Sequence, residues 1–372
     1  MKTVRKLAGP LIVVVLLGLM LVGASCGPHG FDSFFGGRKP LVAQDHDLKS
    51  TTIVATPQQP MKPGKNVIWC GTFQLAWNEI GDLIKEPPRF LLQPPMVDAL
   101  NNRTFTRDDL DRESYVALAG FVRDGIFGRI DAALAQTFKG KASPRYKPSP
   151  DLTPRPQDIV AYSYLFKHLE FPVPFEKLSE PLVFAGSKVE SFGTREFKSG
   201  HQHMYEQVAI FDYQNQSDFV VDLAVKDKRD RLILAKVRPT ATLTETIAEV
   251  QRRLEEPSVK MTWADVLVVP KFNFDVTRDY RELRGLHLVS KDPAVAKDLQ
   301  IMAAVQNIRF EMDEKGVRLR SESHVSMGCS SEPRPRHIMI FDAPFLLMMQ
   351  RADSKRPYYA MWVDNAELMA KR

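Results

Sequence analysis

The stretch DVLVVPKFNF, residues 265–274, runs four branched or apolar residues together and then, after a proline and a lysine, alternates Phe272-Asn273-Phe274. That is strand composition with no helical period. Six further segments read the same way: Val160–Lys167, Met204–Tyr213, Phe219–Val225, Arg231–Val237, Ala304–Met312 and Ile338–Met349. One helix, Leu243–Leu254, is expected among them, with Thr242 or Thr244 as its cap. The other helical expectations come earlier in the chain. Residues 66–84 spread Val67, Ile68, Phe73, Leu75, Trp77, Ile80, Leu83 and Ile84 over most of a helix surface, which predicts a buried helix. Another is expected from Thr106 to about Phe138, with Asp108 and Asp109 in a first turn whose dipole favours acids and interruptions near Gly125 and Gly128. Helices first and strands later predict an α+β domain with large, mostly antiparallel sheets.

The remaining segments set the boundaries. Lys2, Arg5 and Lys6 precede an apolar run, Leu11–Val22, and then Gly23-Ala24-Ser25 before Cys26. A positive start, a short apolar run and a small-residue exit describe an export signal. Small residues before a cysteine also resemble a lipidation site at Cys26, although Gly23 stands where leucine is preferred. A lipid on Cys26, an uncleaved anchor and simple cleavage remain three alternatives. Residues 26–64, rich in Gly, Pro, Gln, Asp and Lys, read as a flexible spacer, which leaves 1–25 as signal or anchor and 65–372 as the folded domain. Residues 140–157 read as a Pro- and Lys-rich surface loop.

Composition excludes several classes. The 372 residues are 44% hydrophobic and 26% charged, which is globular. The net charge of +6 includes the three cations of the first six residues, so the rest is too mild and dispersed to bind nucleic acid. No phosphate-binding glycine loop, Gly-x-Ser-x-Gly or His-Glu-x-x-His is present, and no cofactor is implied. His201 and His203 would share a strand face, but no third ligand is in reach and they read as surface polarity. Asp108, Asp109, Asp111 and Glu113 lack the glycine and spacing of a calcium loop. If Cys26 carries lipid, only Cys70 and Cys329 could pair; the alternative is two unpaired thiols, with Cys70 buried.

Five segments, taken in order, resemble the serpin family. NVIWCGTFQLAWNEIGDLI (66–84) is similar to its early buried helix. AYSYLFKHLEFPVPFE (161–176) shares Phe166, Lys167, Pro174 and Phe175 with its Tyr-Phe-Lys strand and Pro-Phe turn. DVLVVPKFNF is similar to its Val-Pro-Lys-Phe strand, and FEMDEKG (310–316) to the approach to its reactive loop. FDAPFLLMM (341–349) with Tyr358–Asn365 is similar to its last buried strand pair. Cys70-Gly71-Thr72 departs from the family's Ser-Pro-Ser, Leu283-Arg284-Gly285-Leu286 from its Leu-Gly-Phe, and 85–157 aligns poorly. The resemblance implies a serpin-like fold with an exposed reactive-centre loop. It also implies a monomer that inhibits a serine-type protease as a suicide substrate: the cut loop inserts into a sheet as a new strand and releases stored strain. The runner-up is a non-inhibitory binding or scaffold protein. Either would act at the cell envelope or outside the cell.

The hinge would comprise Glu314, Lys315, Gly316, Val317, Leu319, Ser321 and Ser323. From Gly316 on, Val317, Leu319, Ser321, Ser323 and Val325 alternate with Arg318, Arg320, Glu322 and His324, the pattern an inserting strand needs, and also the pattern of a permanent edge strand. Leu319 is bulkier than the alanine of inhibitory relatives and would overpack its slot. Family spacing places the scissile bond at Ser330–Ser331, with Cys329 before it. Arg334 and Arg336, in Pro333-Arg334-Pro335-Arg336, are alternative recognition residues or simply a solvated connector.

Overall fold

The computed structural model describes residues 39–138, 154–195, 202–291, 299–301, 303–317 (of 317 the backbone alone) and 337–372. In chain order it contains β1 (Leu41–Gln44), β2 (Thr51–Val54), β3 (Asn66–Cys70), α1 (Thr72–Ile84), α2 (Pro95–Asn101), β4 (Tyr115–Phe121), α3 (Ile126–Phe138) and β5 (Ile159–Leu165). Next come β6 (Leu169–Glu170), β7 (Glu176–Lys177), β8 (Leu182–Phe184), β9 (Ser187–Val189), β10 (Ser191–Thr194), α4 (Gln202–Glu206), β11 (Val208–Asn215), β12 (Asp218–Leu223) and β13 (Asp230–Lys236). The last part holds α5 (Leu243–Arg253), β14 (Ser258–Lys260), β15 (Val266–Pro270), β16 (Phe272–Asp279), β17 (Val305–Met312), β18 (Gly316–Val317), β19 (Ile338–Ile340), β20 (Phe345–Arg351) and β21 (Pro357–Val363).

The core is an eight-stranded sheet ordered β14-β11-β12-β13-β20-β21-β3-β2, antiparallel except for the β2–β3 pair. Its middle strands are buried on both faces, which is why Phe345–Met349 and Pro357–Val363 read as continuous apolar runs. The expected final buried pair is therefore present, as antiparallel β20 and β21. A four-stranded sheet, β19-β15-β10-β7, lies beside it. Four smaller sheets, β1-β16-β17, β4-β5, β6-β18 and β8-β9, complete the α+β architecture among the described residues. Helix α5 starts where expected: the Thr242 side chain accepts from Glu245 N at 3.2 Å.

Four expectations fail, each for a local reason. Residues 66–70 are a strand; Asn-Val-Ile-Trp-Cys is a β-favouring run whose apolar positions also fit a helix. The helix begins only after Gly71, where a Cβ would run into the Phe105 ring. Thr106 caps a single 3₁₀ turn, Arg107–Asp109, with the Asp109 carboxylate returned to Thr106 N at 2.9 Å. Tyr115–Phe121, read as helix, instead pairs with all of β5, and only Ile126–Phe138 is helical. The spacer does not extend to residue 64. Leu41–Gln44 pairs in parallel with β16, and the β-branched Thr51-Thr52-Ile53-Val54 pairs with β3 and buries Ile53 and Val54. His203 lies on short α4 beside Glu206, not on a strand; residue 201 lies outside the described residues.

The proposed surface loop is outside the described residues from 139 to 153. Cys70 is a free, buried cysteine whose thiol burial pushes up; Cys329 lies outside the described residues. Among the described residues no helix is long and apolar enough to cross a membrane, and no cluster of three or more His, Cys, Asp or Glu is placed to hold a metal.

Candidate functional site

The candidate site is built from two sheet edges and the turn that follows β17. On one side, β5 pairs with β4 alone; on the other, β17 pairs with β16 alone, so each presents a hydrogen-bonding edge with no strand on it among the described residues. The β4–β5 ribbon is held from both faces. Helix α1 packs on one, while Ile126, Ile130, Leu134 and Phe138 of α3 pack with Val116, Val160, Tyr162 and Tyr164 on the other. Strand β17 is fixed by Phe310, which stacks on Tyr359 with ring centroids 5.0 Å apart, and by Gln306. The Gln306 Nε2 donates to Cys70 O and Thr72 Oγ1, and its Oε1 accepts from Tyr280 OH.

Two residues beyond that turn already form a short strand. After β17 the chain reverses at Asp313–Gly316, with reciprocal backbone bonds of 3.2 Å and Lys315 N donating to Asp313 Oδ1. Strand β18 then runs antiparallel to β6, Gly316 opposite Glu170 and Val317 opposite Leu169. Phe171 N donates to Lys315 O at 3.1 Å and Phe175 N to Glu314 O at 2.7 Å. Because β18 is antiparallel to both β6 and the end of β17, those two flanks are mutually parallel and one strand apart. Gly316 has φ +125, and a Cβ there would collide with the Leu169 carbonyl oxygen.

Charge pins the turn from below. The Lys271 ammonium, with its side chain 9% exposed, pairs with the Glu314 carboxylate. Burial acts to raise the Glu314 pKa, but the Lys271 hydrogen bond and charge and a backbone hydrogen bond outweigh it, so the carboxyl sits below its ordinary value. Lys167, at the end of β5, is buried between Asp111 and Asp230 at 2.7 and 2.8 Å. At the far end of the loop, His337 is clipped to buried Asp265 through both its backbone N at 2.7 Å and its Nδ1 at 2.9 Å. Strand β19 follows at once, parallel to β15.

Of the residues singled out from sequence, Glu314, Lys315, Gly316 and Val317 come together in this turn. Leu319, Ser321, Ser323, Ser330, Ser331, Arg334, Arg336 and Cys26 lie outside the described residues. Sequence reasoning missed the Lys271–Glu314 pair and the His337–Asp265 clip, whose partners are far apart in the chain. It also passed over His168, between β5 and β6. Burial, with Lys226 adding repulsion and Glu170 opposing it, pulls the His168 pKa from 6.5 down to about 4. Folding therefore favours the neutral ring: its contribution is complete above pH 6.5 and is lost as pH falls towards 4. Allowing for partial solvent screening, native protein should lose about 1–2 kcal/mol over that interval relative to His168→Gln. Urea melts of both proteins at pH 7 and pH 4 check this.

No family model matches the chain, and no curated protein matches it. Among solved structures it is similar to human thyroxine-binding globulin complexed with thyroxine, over 80% of this chain and 91% of that one, at 12% identity and a TM-score of 0.46. It is also similar to Manduca sexta serpin-12, a serine protease inhibitor, over 81% of this chain and 92% of that one, at 12% identity and a TM-score of 0.45. Both are likenesses of fold.

Proposed function

We propose that this chain is an exported, serpin-like inhibitor of a serine-type endopeptidase, acting as a suicide substrate with no catalytic chemistry of its own. One observation carries the reading: β18 is the first two residues of a strand antiparallel to both β6 and the end of β17, and among the described residues β5 and β17 each have a strand on one side only. The flanks are β5 with β4 on one side and β17 with β16 and β1 on the other. A cut loop continuing from Val317 would join them into one sheet. Continuing the Val317–Leu169 register would set Leu319, Ser321, Ser323 and Val325 on the face of fully buried Leu169, and the charged positions on the opposite face. Such insertion converts edge hydrogen-bonding groups into ladder bonds and buries more apolar surface, a downhill change able to drag an acyl-linked protease with it.

Incubation with trypsin-, chymotrypsin- and subtilisin-like proteases is expected to yield a complex that survives SDS, with the chain cut between 326 and 337. The Tm of the cleaved protein should rise, since the added strand is gained only after cutting. Clean cleavage with no complex would reject inhibition and favour the binding-protein reading, towards which bulky Leu319 leans. A cleaved form no more heat-stable than the intact one would remove the stored-strain premise. The lipid or apolar segment at the N-terminus would hold the protein at the cell envelope.

A further inference from the structure

The end of β16 remote from Gly316 carries a second feature. There the β16–β17 ladder continues irregularly, with Tyr280 N bonded to Ala304 O, Gly285 N to Ile301 O and Leu288 N to Leu299 O. Beside it runs PPRFLLQPP, residues 87–95. Phe90 bridges to Leu288 and is buried against Trp77. Val289 N donates to Arg89 O at 2.8 Å, Asn101 Nδ2 to Pro88 O at 2.9 Å and Phe90 N to Gln93 Oε1 at 3.3 Å. These bonds fix a tip made of Leu91 and Leu92, 84% and 82% exposed, next to half-exposed Val289. A single exposed leucine needs no explanation. Two in succession, bracketed by proline pairs and anchored by a buried ring, are held out in water by the fold itself.

Around the tip, cations outnumber the acids that have no ion-pair partner. Lys85, Arg89 and Lys291 are exposed, and among the described residues no ion pair engages them. Of the neighbouring acids, Asp82 is paired with Arg103 through both oxygens, whereas Glu86 accepts from Ser290 Oγ and Lys291 N and Asp98 from Gln93, neutral donors that leave two negative charges against the three cations. We propose that the tip docks on an anionic bilayer, with Leu91 and Leu92 entering the interface and Lys85, Arg89 and Lys291 meeting headgroup phosphates. Apolar side chains with unpaired cations at their base match the layered chemistry of that surface, acyl chain beneath phosphate. Both ends of the loop, Gly316 and His337, lie towards the other end of the sheet, so a molecule docked here presents the loop away from the lipid. Residues 27–38 span up to about 40 Å when extended, more than the length of β16, so attachment at Cys26 to the same bilayer is compatible with this pose. The inference stands apart from protease inhibition.

The full chain should be tested as Leu92→Trp on phosphatidylglycerol vesicles whose acyl chains are brominated, with the native-tryptophan emission of the parent subtracted. Because the readout is local, binding through the N-terminal segment does not mimic it. The added tryptophan is expected to shift to the blue and lose at least half its emission to bromine. Arg89→Glu with Lys291→Glu should lower that quenching at least fivefold, as should replacing the lipid by phosphatidylcholine. Absence of bromine quenching would overturn the proposal, as would equal quenching on neutral vesicles. A blue shift that grows with protein concentration in the absence of lipid would overturn it in favour of a second copy of the chain.

Discussion

Glu314→Ala should lower the stability of this protein by about 3 kcal/mol, because it removes the one counter-charge that, among the described residues, pairs with an almost fully buried ammonium. The Lys271 side chain lies between the end of β15 and the start of β16, and its backbone N donates to Glu190 O while its carbonyl accepts from Ala370 N. It is held from both sides and has little freedom to swing into solvent. Most of the loss is the desolvation of an unpaired cation, not the value of the pair itself. The double variant Lys271→Met/Glu314→Leu should therefore recover to within about 1 kcal/mol of the parent, and urea denaturation of the parent, Lys271→Met, Glu314→Leu and the double variant gives the coupling directly. The pH dependence carries a sign. A carboxyl whose folded pKa is depressed contributes stability above the ordinary glutamate range and loses it as pH falls through the folded value. Equal losses in the single and double variants would show that the pair is not what holds the turn.

Gly316→Ala should be nearly as damaging, at about 2–4 kcal/mol, for a steric reason. The position has φ +125, which an alanine rarely adopts. Its Cβ would collide with the Leu169 carbonyl and stand 2.9 Å from Glu170 Cα and Phe171 N, all backbone atoms that no side-chain rotation can clear. Strand β18 must leave β6, and the bond from Phe171 N to Lys315 O should open with it. Hydrogen exchange at the Phe171 and Phe175 amides is the measurement: protection should fall at both while the β20–β21 amides stay unchanged. Unaltered protection at Phe171 would mean that the seam tolerates a side chain.

Much of this architecture was legible in residue order. The Val-Pro-Lys-Phe strand and the β11–β13 meander follow from strand composition and period-two patterning, and the last strand pair from the resemblance to serpins. The Asp-Glu-Lys-Gly segment stood out through its resemblance to the approach to the serpin reactive loop, not through a local period. Asn66–Cys70 escaped because five consecutive buried residues carry no period; strand and helix look alike over that length, and only Gly71 marks the boundary. Tyr115–Phe121 escaped because Ala117, Ala119 and Gly120 dilute its alternation. The Lys271–Glu314 and His337–Asp265 pairs belong to tertiary structure, and no local spacing announces partners 43 and 72 positions apart.

The parallel strand at Leu41–Gln44 has a practical meaning for anyone shortening the protein. A truncation at residue 65, drawn from composition alone, would strip the outermost member from two different sheets and bare the flanks of β16 and β3. Such raw borders recruit neighbouring molecules. A shortened version should keep everything from Lys39 onward, so that both outer strands stay in place.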